Sequence, residues 1–182
     1  MINYINRLLY LILITIIFGF TSCNSIINRL YDDTTAKYNA YFIANEIINE
    51  IELNLKNNTI DNYDSLLRIN YSLDSSSISQ HEEKINKSIE KLSILIQRHP
   101  ESKYVYPSYV LIGKSRLLNL ELRQSIITFK YVNSKSDSKR TKDLALINLM
   151  RAYTEKKQYK EAEKVYTFLK NKNINENNAI EF

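Results

Sequence analysis

Two segments of this chain carry the same order of large and small side chains, 37 residues apart. Tyr109-Val110-Leu111-Ile112-Gly113 leads to Ser125-Ile126-Ile127-Thr128-Phe129 and then to Val132. Leu146-Ile147-Asn148-Leu149-Met150 leads to Ala162-Glu163-Lys164-Val165-Tyr166 and then to Leu169. Each segment reads as a helix, a short turn and a second helix. Such a hairpin cannot bury its apolar face alone, so copies stack against one another. Composition points the same way. Only two glycines and two prolines occur in 182 residues. A many-turned β protein needs more of both.

The second copy follows the tetratricopeptide pattern. Leu146 takes the large position, Leu149 the leucine, Tyr153 the first aromatic, Tyr159 the turn tyrosine, Ala162 the small residue and Tyr166 the next aromatic. Its helices are expected at Lys139 to Glu155 and Tyr159 to Lys170. Ala162 is small where they approach, and Tyr153 and Tyr166 fill the space on either side. In the first copy Gly113 holds the small position, Ser125 replaces the alanine, and Arg116 stands where an aromatic is expected. Pro107 suits the first turn of a helix, where a missing N–H costs nothing. The spacing exceeds the usual 34 residues by about three, which the polar link Asn133 to Ser138 absorbs. The expected fold is all-α: tetratricopeptide-like helical hairpins, an α-solenoid, after a lipoprotein signal peptide.

That signal peptide is residues 1–22. Arg7 precedes an apolar run from Leu8 to Phe20, and Phe20-Thr21-Ser22-Cys23 follows the form of a lipoprotein cleavage box. About 13 apolar residues fall short of the roughly 20 that span a bilayer and suit a signal-peptide core. Cys23 is the sole cysteine, so no internal disulfide exists, and lipidation is its expected fate. More than one acyl chain there holds a protein stably at a membrane. Asn24 and Ser25 follow, without the Asp that signals inner-membrane retention, so the expected location is the periplasmic face of the outer membrane.

Residues 23–80 read as a tether, an N-terminal helix and a polar connector. Asp32-Asp33-Thr34-Thr35 is a candidate cap, with a helix from near Thr34 to about Leu55. Thr59 to Gln80 is rich in Ser and Asn, with one turn expected near Tyr63 to Leu67. The adjacent Tyr63 and Asp64 read as connector surface. Residues 81–182 form the repeat region. It opens with a helix from His81 to Arg98 whose stripe is Ile85, Ile89, Leu92, Leu95 and Ile96, ended by His99-Pro100.

Chemistry-bearing patterns are sparse. His81 and His99 have no His or Cys at ligand spacing. Gly19 and Gly113 make no phosphate loop, and no Gly-x-Ser-x-Gly elbow occurs. Glu82/Glu83 and Glu161/Glu163 read as solvated helix faces. The 14 tyrosines fall mostly at helix-packing positions. Net charge is +5, with no basic block longer than Ser138-Lys139-Arg140-Thr141-Lys142, so nucleic acid is not expected as a partner. No catalytic residue, cofactor, metal or small-molecule substrate is expected.

Asn28-Arg29-Leu30-Tyr31-Asp32-Asp33-Thr34-Thr35-Ala36-Lys37-Tyr38-Asn39-Ala40-Tyr41-Phe42 resembles the segment after the lipidated cysteine in the SprE/PorW-type tetratricopeptide lipoproteins of Bacteroidota. Ser102-Lys103-Tyr104 with Tyr109-Val110-Leu111-Ile112-Gly113-Lys114-Ser115 is similar to the start of that family's first clear repeat. Phe129-Lys130-Tyr131-Val132-Asn133-Ser134 is similar to its second helix. The resemblance covers nearly all of the chain after Cys23. It implies a periplasm-facing outer-membrane lipoprotein, anchored through Cys23, that binds partner proteins of the type IX secretion and gliding motility machinery. Family members are several times longer, which implies that this chain corresponds to their N-terminal portion. Two other lipidated helical classes share the expected fold: SusD-type nutrient-binding lipoproteins and BamD-type outer-membrane assembly lipoproteins. The former present aromatic sugar-stacking residues, and the latter lack the Thr-Thr-Ala-Lys-Tyr-Asn segment.

Overall fold

The computed structural model describes residues 40–59 and 75–172, together with Tyr4, Asn6, Arg7, Tyr10, Tyr31, residues 33–35, Asp64, Tyr71 and Leu73. Among the described residues the regular structure is entirely helical. In chain order the helices are α1 (Phe42–Asn58), α2 (Ser75–Ser79), α3 (Glu82–Arg98), α4 (Val105–Leu118), α5 (Leu122–Lys135), α6 (Lys139–Glu155) and α7 (Tyr159–Lys170). The last two have the bounds that the repeat pattern dictates. Residues 33–35 are helical, as is the chain from 40 into α1, and 36–39, across which the helix expected from near Thr34 would run, lie outside the described residues. The polar connector holds a short helix, α2, that its Ser-rich composition hides. The expected turn at Tyr63 to Leu67 lies outside the described residues except for Asp64.

Successive helices from α3 onward pack in antiparallel sequence, and α4 also meets α6 and α1. The core has two parts. Ala44, Ile48, Ile51 and Leu55 of α1 meet Ile85 and Leu92 of α3 and Leu111, Ile112 and Leu118 of α4. Val110 and Leu117 of α4 join Ile126, Phe129 and Val132 of α5, Leu146, Leu149 and Tyr153 of α6, and Ala162 and Leu169 of α7. α4 therefore faces both parts. Its sequence is apolar nearly all round, as a helix enclosed on several sides must be. Leu73, on the connector, touches both parts.

The two hairpin turns are the same structure. Leu120 and Lys157, 37 residues apart, both have positive φ, at 59° and 60°. In the first turn Glu121 N donates to Arg116 O at 2.8 Å and Leu120 N to Leu117 O at 3.0 Å. In the second, Gln158 N donates to Tyr153 O at 2.8 Å and Lys157 N to Thr154 O at 2.9 Å. Both are Schellman caps, which satisfy the last free carbonyls of a helix. Glycine is the usual residue there, because a Cβ is strained at this φ. Lys157→Gly is therefore expected to stabilise the fold by about 0.5–1 kcal/mol, the left-handed strain outweighing the added freedom of the unfolded chain. Chemical denaturation checks this: a higher midpoint at unchanged slope is the expected result.

α6 starts on a true cap, with Ser138 Oγ accepting from Thr141 N at 3.3 Å. Its second turn carries Asp143, fully buried and ion-paired to Lys172 beyond the end of α7. That contact closes the second hairpin on itself.

Candidate interaction surface

Polar side chains converge at two places in this helical stack. The first joins the tether to the repeats. The Asp33 carboxylate accepts from Ser102 Oγ at 2.8 Å and from Lys103 N at 3.0 Å, across 69 and 70 residues of sequence. Lys103 Nζ adds an ion pair at 3.5 Å, and the rings of Tyr41 and Tyr104 meet with centroids 5.1 Å apart. Asp33 thus holds the α3–α4 corner, a long-range role that its local reading as a cap does not contain. Partial burial pushes its pKa up, but the hydrogen bonds from Ser102 and Lys103 and the Lys103 charge outweigh this. The net shift is below the ordinary 3.8. The sign follows: a depressed carboxylate stabilises the docked state fully above its ordinary value and loses that contribution as pH falls through the depressed one. Asp33→Ala is expected to free the tether while leaving the repeats folded. Hydrogen exchange should show faster exchange at residues 102–104, with α6 and α7 unchanged.

The second place lies where α1, α4, α6 and the connector meet. Glu52 of α1 accepts from Lys114 Nζ of α4 at 3.0 Å and from the Tyr71 hydroxyl at 3.0 Å. Arg151 of α6 forms an ion pair with the same carboxylate at 3.6 Å. Its guanidinium lies over the Tyr71 ring, 4.2 Å from the centroid. All three charged side chains are largely buried, at 17%, 21% and 12% exposure for Lys114, Glu52 and Arg151. Burial, together with the Glu52 charge, drives the Tyr71 hydroxyl pKa well above the usual tyrosine range. Tyr71 therefore stays a neutral donor to Glu52. Nε and Nη2 of Arg151 are buried and have no hydrogen-bond partner among the described residues.

Sequence reasoning missed this cluster, although a signal for it exists. Lys114 and Arg151 are 37 residues apart, and so occupy the same position in the two copies, each just after the small-residue slot. Two cations at one register of two packed helices must meet the same neighbour. Nothing in the local pattern around Glu52 marks it, because its charged partners Lys114 and Arg151 lie 62 residues or more away.

The first copy's departures from the repeat pattern have physical reasons. A Cβ on Gly113 would stand 2.5 Å from Phe129 Cε1, so glycine lets the ring of α5 close on α4. Ser125 Oγ donates to Gly113 O at 2.9 Å in the buried crossing. Arg116, standing in for an aromatic, donates to Thr128 Oγ1 at 2.8 Å. The tyrosines divide. Tyr153 is buried, but Tyr159 and Tyr166 of α7 are 62% and 45% exposed. Tyr166 thus lies along the outer face of α7 and does not fill the hairpin as its place in the pattern suggests.

Cys23 and the cleavage box lie outside the described residues, as does Tyr63. Among the described residues no helix is long and apolar enough to cross a membrane, and no group of three or more potential metal ligands gathers. His81 stands at the start of α3, nearly buried, and its Nε2 has no hydrogen-bond partner among the described residues. Comparison with protein-family models, with curated proteins and with solved structures returned no match.

Proposed function

We propose that this chain is a membrane-anchored, periplasm-facing scaffold of tetratricopeptide-like repeats that binds partner proteins of the type IX secretion and gliding motility machinery. It carries no catalytic role in this reading. The observation that carries it is the docking of Asp33 onto Ser102 and Lys103. These residues belong to the two stretches through which the sequence resembles the SprE/PorW-type lipoproteins. A physical contact between them gives those stretches one shared task, fixing the tether that follows Cys23 against the first repeat. The paired hairpins α4–α5 and α6–α7, closed by identical turns at Leu120 and Lys157, support the repeat architecture. Asp33 lies ten positions after Cys23, so a lipid on Cys23 would hold the repeats within about 35 Å of the membrane, the reach of ten fully extended residues.

The test is a secretion assay in the native host. Cys23→Ser and Asp33→Ala strains are compared with wild type for export of type IX cargo and for the protein's place in fractionated envelopes. The expected result is release of the Cys23→Ser chain from the outer membrane with loss of cargo export, and a partial export defect for Asp33→Ala. Normal export in a strain lacking the whole chain would contradict the proposal.

A further inference from the structure

Because successive helices alternate in direction, the ends of α3, α5 and α7 and the starts of α4 and α6 lie at one end of the stack. Asp143, near the start of α6, pairs there with Lys172 just past α7. The tether joins the stack at the same end, through Asp33 on Ser102 and Lys103 and Tyr41 on Tyr104. The fold gathers at this end cations that the sequence disperses. Arg98, Lys135 and Lys170 occupy the last turns of α3, α5 and α7. Lys103, Lys139 and Arg140 join them, and all six are exposed. The exposed acids at this end, among the described residues, are Glu101 and Asp137. A cation at a helix C-terminus complements the dipole and needs no other reason. The start of α6 is the opposite case. Lys139, Arg140 and Lys142 open it with no acid in the first turn, where the dipole disfavours positive charge; stability alone selects acids there. Lys135, Lys139 and Lys170 have no ion-pair partner among the described residues. Arg140 is near enough to the tether to oppose the rise that burial causes in the Tyr41 hydroxyl pKa. Positive charge and tether therefore share one surface.

We infer that this end of the stack is a docking surface for anionic phospholipid headgroups, laid against the membrane that the tether comes from. The choice of a membrane over other anionic partners rests on the anchored reading; the gathering of charge does not. The tether alone leaves the orientation open. Its extended reach of about 35 Å exceeds the screening length of about 8–10 Å severalfold. Charge decides the orientation once the end comes within that shorter distance. Each Lys or Arg near an anionic surface multiplies the affinity roughly fivefold. The far end, with the turns at Leu120 and Lys157, then points away from the lipid.

The experiment takes the full chain from host envelopes and reconstitutes it into vesicles through its own anchor. A thiol-linked fluorophore is placed at Ser134→Cys, in the last turn of α5, or at Lys156→Cys, at the far end; both positions are exposed. Energy transfer to a headgroup-labelled lipid reports which end lies nearer the bilayer. The vesicles are phosphatidylcholine alone, or phosphatidylcholine with roughly one-third phosphatidylglycerol as the anionic lipid. On the mixed vesicles transfer from position 134 is expected to exceed that from position 156. The excess should vanish on phosphatidylcholine alone, and in roughly 1 M salt, where the screening length is about 3 Å. Lys135→Gln, Lys139→Gln and Lys170→Gln together are expected to lower the ratio of docked to undocked chain roughly 10- to 100-fold. The same charge change at the far end, Arg123→Gln, Lys157→Gln and Lys160→Gln, should leave that ratio unchanged. Equal transfer from both positions, an excess indifferent to phosphatidylglycerol or to salt, or equal losses in the two triple variants overturns the inference. The intact mass of the chain scores the anchor separately, since an unmodified Cys23 sinks the anchored reading. Flotation of that chain with the same vesicles then decides the surface. It stands if phosphatidylglycerol is preferred and the Lys135, Lys139 and Lys170 variant loses the preference, and falls otherwise.

Discussion

Phe129→Ala is expected to cost about 3–5 kcal/mol, and Gly113→Ala about 1–3 kcal/mol, yet the two together should cost less than their sum. Phe129 has no exposed surface, and its ring fills the space between α4 and α5. Removing it leaves a cavity that fixed helices on both sides cannot collapse. Gly113→Ala fails for the reverse reason. The new methyl would stand 2.5, 2.8 and 2.9 Å from three ring carbons of Phe129, closer than van der Waals contact allows. The ring is enclosed and cannot turn away cheaply, so α4 and α5 must separate. In the Phe129→Ala background that obstruction is gone, and the added methyl partly fills the cavity. Denaturant unfolding of the four proteins of the cycle measures the coupling, expected near 1–3 kcal/mol. Strict additivity would mean that the α4–α5 crossing is looser than described here.

The second large effect is at Glu52. Glu52→Leu removes the carboxylate that, among the described residues, faces Lys114 and Arg151, and the hydroxyl of Tyr71 loses its acceptor. Breaking a fully buried pair by removing one partner costs roughly 3–5 kcal/mol. These side chains keep 12–21% of their surface, so water recovers part of that penalty, and a loss of about 2–3 kcal/mol is expected. For a domain of this size that is a fall in melting temperature of roughly 4–12 °C. Adding Lys114→Met to Glu52→Leu should restore part of the loss, because one uncompensated cation becomes an apolar contact. A Glu52→Leu protein as stable as wild type would show that the α1–α4–α6 junction is held by packing alone.

Helix existence was legible wherever one face is apolar and local. α6 and α7 could be bounded to the residue because Leu146, Leu149, Tyr153, Ala162 and Leu169 repeat a pattern whose two halves pack on each other. α3 was legible from the stripe of Ile85, Leu92 and Leu95, all buried. α2 was not, since Ser75 to Ser79 has helix-neutral residues and a single buried apolar side chain, Ile78. Its placement depends on tertiary contact with the first core cluster. Tyr166 shows a different limit. A repeat pattern specifies the position of a side chain on its helix but not whether a neighbour covers it, and the described residues leave Tyr166 half open.

The candidate sites were less legible than the fold because both are non-local. Asp33 could be read only against Thr34 and Thr35 in sequence, whereas the structure pairs it with Ser102 and Lys103. Glu52 sits on a helix face with nothing nearby to mark it. The cations it holds were visible only as the equivalence of Lys114 and Arg151 under the 37-residue offset. Repeats make such equivalences readable in principle, since one register in two stacked helices shares a single neighbourhood.

The central claim is that this chain holds partner proteins together at a membrane. In-cell crosslinking followed by capture of the chain from solubilised envelopes, read by mass spectrometry against a Cys23→Ala control, tests it most directly. The account predicts recovery of secretion translocon and ring subunits, lost in the control. Recovery only of a nutrient-import barrel, only of barrel-assembly proteins, or of the same proteins with and without Cys23 would contradict it.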